Sequence, residues 1–177
     1  MKAKKIRRLV TGHDENGKSI FVLDGIAESV LTVEPMGGLT ATYLWETYEA
    51  PADNTGARDN AERPVHLEPG AMGSIFRVVE FPPDSVWKDN ADAGAAFDAL
   101  QAGHAADQTS GDASMHKTNS VDYALVIEGE IWAVMDTEER RMQQGDVLIQ
   151  RGTNHGWSNK SDKNYRVMFV LCGADPL

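Results

Sequence analysis

The chain has a single cysteine and lacks long apolar runs. Cys172 is the only cysteine among the 177 residues and lies inside the apolar segment 165–173. An internal disulfide and a metal site built from several thiolates are therefore excluded. We interpret Cys172 as a buried small hydrophobe. No apolar run approaches the roughly 18 residues that span a bilayer, so no membrane partner is expected.

Positive charge is also scarce. There are 17 Lys and Arg residues against 27 Asp and Glu residues, which gives a formal net charge of −10. This balance argues against nucleic acid as a partner, because phosphate binding needs clustered basic residues. The N-terminal segment is charged and has no apolar core of a secretory signal, so we expect a cytoplasmic protein.

Length and composition predict one folded domain. The chain has 41% hydrophobic and 25% charged residues, which is typical of a globular protein. Its 177 residues are enough for one well-buried domain and too few for two ordinary ones. No internal repeat is visible. We therefore predict a single domain over residues 1–177.

The first half of the chain is predicted to add strands to this domain as an N-terminal extension, residues 1–85. Short runs rich in Thr, Val, Ile and aromatic residues, separated by turn residues, are typical of antiparallel sheets. The predicted strands are Ile6–Val10, Ser19–Leu23, Leu39–Thr47, Val65–Leu67 and Ser74–Phe81. Asn16-Gly17 predicts a hairpin turn between the first two strands.

Residues 90–106 are predicted to form a short helical insert. The segment is rich in Ala, and Phe97 and Leu100 are spaced to face one way. After this segment, predicted strands follow one another with only short turn segments between them. This pattern predicts an all-β antiparallel sandwich or barrel. These strands are Tyr123–Ile127, Glu130–Met135, Arg140–Gln143, Asp146–Gln150 and Tyr165–Leu171.

His116, Thr118 and Asp122 are spaced to share one face of a continuous strand. Side chains two or four residues apart in a strand point to the same side. The same face continues through Ala124 and Val126, which suits the lining of a barrel. The sequence therefore predicts an imidazole, a hydroxyl and a carboxylate in one row.

His155 is predicted on a turn that follows the strand Asp146–Gln150. If this strand lies beside the one that carries His116, then His116, Asp122 and His155 converge. Non-haem Fe(II) enzymes bind their metal through two histidines and a carboxylate and leave the other coordination positions open. Imidazole also suits Zn, Cu and Ni. We predict these three residues as metal ligands.

Residues 115–159 resemble the two sequence motifs of the cupin superfamily. The first motif is Gly, five residues, His-x-His, three or four residues, Glu, six residues, Gly. This chain has His116-x-Thr118, three residues, Asp122, six residues and Gly129. The second motif is Gly-Asp, a Pro-x-Gly turn, His, three residues, Asn. This chain has Gly145-Asp146, Gly152, His155 and Asn159.

The resemblance implies a cupin-type antiparallel β-barrel, also called a double-stranded β-helix or jelly roll, of the small Cupin_2 type. Its motif core would be residues 111–172, and a homodimer is expected because cupins often pair through added strands. Cupin metal sites typically use three histidines and a glutamate. Thr118 and Asp122 therefore imply a reduced ligand set, for Fe, Mn, Zn or Ni.

Four residues are predicted around a substrate pocket. They are Thr118, Gln150, Arg151 and Trp157. Thr118 would present a hydroxyl to the substrate, and Trp157 would line the entrance of the pocket. Arg151 would bind a substrate carboxylate through a bidentate contact. His66 and His104 are interpreted as structural or exposed.

Three classes of function stay open. The first, which we favour, is a metal-dependent enzyme acting on a small molecule that carries a carboxylate or carbonyl, such as a dioxygenase, decarboxylase or isomerase. The second is a metal-free, epimerase-like enzyme with His116 as general base, oriented by Asp122. The third is a ligand-binding cupin without catalysis.

Overall fold

Antiparallel strands make up most of the regular structure. The computed structural model describes residues 4–56 and 58–177. The strands are β1 (Arg7–His13), β2 (Ser19–Ile26), β3 (Val30–Val33), β4 (Leu39–Thr47), β5 (Ser74–Phe81), β6 (Ser120–Glu128), β7 (Glu130–Met135), β8 (Glu139–Gln143), β9 (Val147–Arg151), β10 (His155–Ser158) and β11 (Tyr165–Gly173). The one α-helix within these residues is α1 (Ala93–Ala99). The all-β prediction is confirmed.

Two larger sheets hold the core between them. One sheet has the strand order β3-β4-β5-β11-β6-β9, and the other has the order β10-β7-β8. Side chains from both sheets form one buried cluster, with Tyr43, Val79 and Phe169 from the first sheet and Ile131 and Trp157 from the second. Burying each large apolar side chain contributes about 1.5–3 kcal/mol, so this shared cluster holds the two sheets together.

Strands β1 and β2 form a separate two-stranded hairpin, as the sequence predicts. Asp14 Oδ1 accepts hydrogen bonds from the amides of Asn16 and Lys18, at 2.9 Å and 2.8 Å. Gly17 has a φ of 75°, a conformation that glycine adopts without strain. No helix in the described ranges has the length and apolar character that a bilayer crossing requires.

The inward face of β6 also agrees with the sequence. Asp122, Ala124 and Val126 alternate with more exposed neighbours and are all buried. The predicted strand from 116 to 122 is not continuous, however. His116 makes an isolated β-bridge, and β6 begins only at Ser120.

The helix predicted over 90–106 is wrong in length. Asp92 caps the N-terminus of α1 by accepting a hydrogen bond from the amide of Ala95 at 3.0 Å. The helix ends by Leu100, and Gln101 then takes a φ of 54°. The chain turns here because residues 105–107 pair with the segment that carries His116.

Two further predictions are corrected. Residues 65–67 form no strand and belong to a loop, where the amide of Leu67 donates to the carbonyl of Leu100 at 3.0 Å. His155 does not lie on a turn, because it is the first residue of β10. Pairing with Met135 on one side and with His116 on the other brings it into the sheet.

Candidate active site

A cavity of about 70 Å³ lies among the inner side chains of the core. Apolar and aromatic side chains form most of its wall, which limits access of bulk water. Its polar lining consists of Arg77, Ser114, His116, Thr118, Asp122 and His155. The row of imidazole, hydroxyl and carboxylate that the sequence predicts therefore does line one cavity, together with the second histidine.

His116 and His155 are neighbours across an antiparallel bridge. The amide of His116 donates to the carbonyl of His155 at 2.8 Å, and the amide of His155 donates to the carbonyl of His116 at 2.9 Å. The two ring centroids are 4.2 Å apart. Directly opposed residues of an antiparallel pair project to the same face, which explains why both rings enter the cavity.

Backbone carbonyls fix the tautomer of both rings. His116 Nδ1 lies 2.8 Å from the carbonyl oxygen of Ser114, and His155 Nδ1 lies 3.0 Å from that of Thr153. A carbonyl only accepts, so each Nδ1 must carry the proton and each Nε2 keeps a lone pair. Among the described residues neither Nε2 has a hydrogen-bond partner. The pair thus offers two lone pairs to a metal ion or a proton.

The surroundings keep both imidazoles neutral. Burial lowers the pKa of His116 well below its usual value, and the charge of His155 when it is protonated and the charge of Arg77 act in the same direction. Burial likewise lowers the pKa of His155 to about 4. Neutral imidazole is the form that binds metals and accepts protons, so both side chains are ready for either role near neutral pH.

Asp122 is held by a neighbouring serine on the same strand. Ser120 Oγ donates to Asp122 Oδ1 at 2.6 Å and lies 2.9 Å from Thr118 Oγ1. Burial raises the pKa of Asp122, while the hydrogen bond from Ser120 and the charge of Arg77 oppose that rise. Asp122 therefore does not orient His116, whose Nδ1 bonds to Ser114 instead.

Of the predicted pocket residues, Thr118 and Trp157 line the cavity and two others do not. Gln150 is buried on β9 and donates from Nε2 to the carbonyl of Thr153 at 2.9 Å, so it shapes the turn before His155. Arg151 is exposed at the end of β9. Neither side chain is among those that line the cavity, so the assignment of both to a substrate pocket stays a prediction.

The sequence reasoning missed Arg77 and Trp87, which both line the cavity. Arg77 is only 7% exposed and lies on β5. Its side chain lies on the same face of the strand as those of Ile75 and Val79, which are both buried. The signal available in the sequence was therefore a single arginine on an apolar strand face.

The helix contributes the aromatic cover next to the histidines. Phe97 and Leu100 are both buried and line the cavity, as their predicted common face implies. The ring of Phe97 lies 5.1 Å from that of His116, between centroids. On the other side, Trp157 meets His155 edge-on at 6.2 Å. The histidine pair is thus flanked by aromatic rings.

His66 and His104 lie outside the cavity. His66 Nδ1 lies 2.8 Å from the carbonyl of Glu68, and its Nε2 lies 3.3 Å from the buried carboxylate of Glu46. His104 is exposed and pairs with Glu68. The interpretation of both as structural or exposed residues is consistent with these positions.

The donor set of the cavity fits a metal ion only in part. Two neutral imidazoles with free Nε2 atoms are suitable ligands. In the part of the chain that the structure describes, however, no group of three or more His, Cys, Asp or Glu side chains is close enough to hold one ion. Asp122 shares the cavity without completing such a group, so its role as third ligand stays a prediction.

Known proteins are similar in sequence to almost the whole chain. The phomopsin biosynthesis cluster protein D of Diaporthe leptostromiformis is 32% identical over 178 residues, which cover 96% of this chain and 79% of that protein. The cupin-domain-containing oxidoreductase virC of Hypocrea virens is 28% identical over 180 residues, which cover 96% and 77%. No family model matches.

Among solved structures, the cupin domain of Cnp3 from Schizosaccharomyces pombe aligns with a TM-score of 0.46 and 13% identity, over 97% of this chain and 89% of that one. The sequence relatives and the antiparallel two-sheet fold together show that this chain belongs to the cupin superfamily. The cupin-type barrel predicted from the two motifs is thereby confirmed.

Proposed function

We propose that this cupin is a small-molecule oxidoreductase whose reaction centre is a divalent metal ion bound by His116 and His155. The observation that carries the proposal is a pair of imidazoles in one mostly apolar cavity, with ring centroids 4.2 Å apart and with no hydrogen bond to either Nε2 among the described residues. The printed names of relatives support the reaction class, because several are cupin-domain-containing oxidoreductases. Others are biosynthesis cluster proteins, which supports a small organic substrate.

The chain's own residues prepare the site for such an ion. The carbonyls of Ser114 and Thr153 hold each ring in one orientation. They also raise the basicity of each Nε2 as a metal ligand. Asp122 is the proposed third ligand, and Ser120 holds its carboxyl group. A bound Fe, Mn, Zn or Ni ion would supply Lewis-acid or, for Fe, redox chemistry.

The walls of the cavity contribute by excluding water and orienting the substrate. Phe97 and Trp157 flank the histidines, and Phe169 packs edge-on against Trp157 at 5.3 Å. An apolar wall strengthens every electrostatic interaction within the cavity. Thr118 is the proposed substrate-facing hydroxyl. The substrate would be a small molecule that carries a carboxylate or a carbonyl group.

Metal content after reconstitution tests this proposal. Wild-type protein, His116→Ala, His155→Ala and Asp122→Asn are each loaded with Fe, Mn, Zn or Ni, desalted and measured by elemental analysis. The exposed His104→Ala serves as the matched control. We expect wild type and His104→Ala to retain close to one ion per chain for at least one metal.

Removal of a residue that only hydrogen-bonds to a metal ligand lowers metal affinity by roughly 10–100-fold. Both histidine variants remove a ligand itself, so their metal affinity should fall by more than this. Loss of binding in Asp122→Asn as well would support Asp122 as a ligand. Trace metal in the wild type, or equal content in the wild type and both histidine variants, would refute the proposed centre.

A metal-free enzyme is the second candidate. The observation that favours it is that no third ligand completes the histidine pair among the residues the structure describes. His116 would then act as general base through Nε2, since its ring is neutral and its Nδ1 proton is already bonded to Ser114. Exchange of a substrate proton with solvent by chelator-treated protein, abolished by His116→Ala, would support this alternative. Ligand binding without exchange or turnover would instead indicate a binding protein.

A further inference from the structure

One half of the Arg77 guanidinium is hydrogen-bonded, and the other half has no partner among the described residues. Nη1 donates to the carbonyl of Leu67 at 2.7 Å and to the hydroxyl of Tyr43 at 3.0 Å, and it lies 3.4 Å from the carbonyl oxygen of His66. Nε is buried without a hydrogen-bond partner, and among the described residues none is found for Nη2 either. The Nε–Nη2 edge is the fork that binds a carboxylate through two parallel hydrogen bonds.

Two carboxylates near Arg77, those of Glu46 and Asp122, form no ion pair with it. Glu46, on the adjacent strand β4, pairs with Arg63 at 3.1 Å and with His66 at 3.3 Å. Asp122 accepts its hydrogen bond from Ser120, and neither carboxylate lies within ion-pairing distance of Arg77. A buried charge without a partner costs several kcal/mol, so the arrangement is far more favourable once an anion is bound.

A second unpaired donor belongs to another residue of the cavity lining, Trp87. Trp87 Nε1 is buried and has no hydrogen-bond partner in the described part of the chain. Indole N–H and guanidinium are donors only, so both groups require an acceptor. Buried polar groups in native proteins are nearly always satisfied. Two unsatisfied donors on residues that line one cavity therefore point to an acceptor-rich ligand.

We propose that Arg77 binds the carboxylate of a small, mostly apolar carboxylic acid, with Trp87 as a further donor to the same ligand. The apolar body would lie against the aromatic wall beside His116 and His155, at the proposed reaction centre. This inference narrows the substrate class of the proposed function and rests on it for taking the ligand as substrate. The carboxylate site itself can be tested without any metal.

The assignment replaces Arg151, which the sequence offers for this role. Arg151 is exposed and does not line the cavity, whereas Arg77 is buried in it. A purely structural role for Arg77, fixing the loop through Leu67 and Tyr43, uses only Nη1. That role leaves Nε and Nη2 without a partner among the described residues. Only a carboxylate-binding role predicts that ligand affinity depends on the negative charge of the ligand.

Calorimetric titration of the chelator-treated full chain tests the proposal. The probes are acetate, 2-methylpropanoate and phenylacetate, each compared with its neutral amide, together with inorganic phosphate. Chelation ensures that no metal ion binds the carboxylate. The proteins are wild type, Arg77→Lys, Arg77→Met and Arg151→Met, with circular dichroism to verify folding.

We expect at least one carboxylate to bind the wild type roughly tenfold or more tightly than its amide. The preference should persist in Arg151→Met, fall in Arg77→Lys because the fork is lost, and vanish in Arg77→Met. The proposal is overturned if no carboxylate is preferred over its amide, if the preference survives Arg77→Met, or if phosphate binds more tightly than every carboxylate.

A wild-type crystal structure with the preferred carboxylate decides the matter if the Arg77 variants do not fold. The carboxylate should lie within hydrogen-bond distance of Nε and Nη2 of Arg77, and placement elsewhere would contradict the proposal. Failure of this test leaves metal binding by His116 and His155 intact. Failure of metal binding with a retained, Arg77-dependent carboxylate preference would instead refute only the proposed reaction centre.

Discussion

His116 and His155 exchange backbone hydrogen bonds with each other, and their ring centroids are 4.2 Å apart. The pairing of the two backbones, rather than a contact between the rings, therefore sets the distance between the two imidazoles. Each Nδ1 is then bonded to the carbonyl of the residue two positions earlier, Ser114 or Thr153. Because both interactions use the backbone, the geometry is predicted to persist when no metal is bound.

The close approach of Gly156 to the segment before His116 gives the first prediction. A Cβ at position 156 would lie 2.6 Å from Ser114 Oγ and 3.0 Å from Met115 Sδ, so these two side chains, which flank the bond from Ser114 to His116, would have to shift. We expect Gly156→Ala to lower the free energy of unfolding by about 1–3 kcal/mol and to weaken metal binding. Chemical denaturation and metal titration measure the two effects.

Gly25→Ala is the matched control, since a Cβ there meets no atom within 4 Å. It should leave both metal binding and stability almost unchanged. If Gly156→Ala also binds metal like the wild type, then the backbone pairing does not set the site.

Acid sensitivity of the metal-free protein is the second prediction. The pKa of His155 is lowered to about 4 in the folded chain, and that of His116 is also lowered, both chiefly by burial. The unfolded chain binds protons at these residues from about pH 6.5 downward. Stability should therefore fall as the pH drops from about 6.5 to 4, by on the order of 3 kcal/mol for His155 alone.

Denaturation of chelator-treated protein at several pH values measures this dependence. The double variant His116→Gln/His155→Gln should show a much flatter slope between pH 6.5 and 4, whereas the exposed hairpin variant His13→Gln should behave like the wild type. Parallel slopes for the wild type and the double variant would show that these histidines do not titrate as described.

His66 is expected to act in the opposite direction and at higher pH. Its hydrogen bond to Glu46 raises its pKa, with the carbonyl of Glu68 and the charge of Glu46 in the same sense, while burial and Arg63 oppose the rise. A raised pKa means that the folded chain holds the proton more tightly. The stabilisation is complete below about pH 6.5 and is lost as the pH rises through the folded pKa.

The stability difference between wild type and His66→Gln should therefore shrink as the pH rises above about 6.5. Thermal or chemical denaturation across this range measures it, with His13→Gln again as the control. A difference that is constant, or that grows with pH, would contradict the imidazolium–Glu46 pair.

The sequence predicts the sheet elements well because alternation and turn residues are local signals. The hairpin around Asn16-Gly17 and the inward face of β6 are examples. The location of His155 was not predictable in this way. The polar residues Thr153 and Asn154 precede it and are typical of a turn, and only pairing with two distant segments makes His155 part of a strand.

Arg77 was missed for a related reason. Both faces of β5 are apolar, since Phe76 and Val78 pack into a second small cluster while Ile75 and Val79 enter the main core. The alternation of apolar and polar residues along the strand is therefore absent, and the sequence does not show which face of β5 lines the cavity. The single-domain organisation and the homodimer stay predictions.

Anomalous scattering from crystals of the metal-loaded protein tests the central claim most directly. Data collected on either side of the absorption edge of the loaded metal locate the ion and identify its element. We predict a peak at about 2.0–2.2 Å from the Nε2 atoms of both His116 and His155. A crystal that contains the metal but shows no peak between these two atoms, or shows its peak at other residues, would contradict the proposed reaction centre.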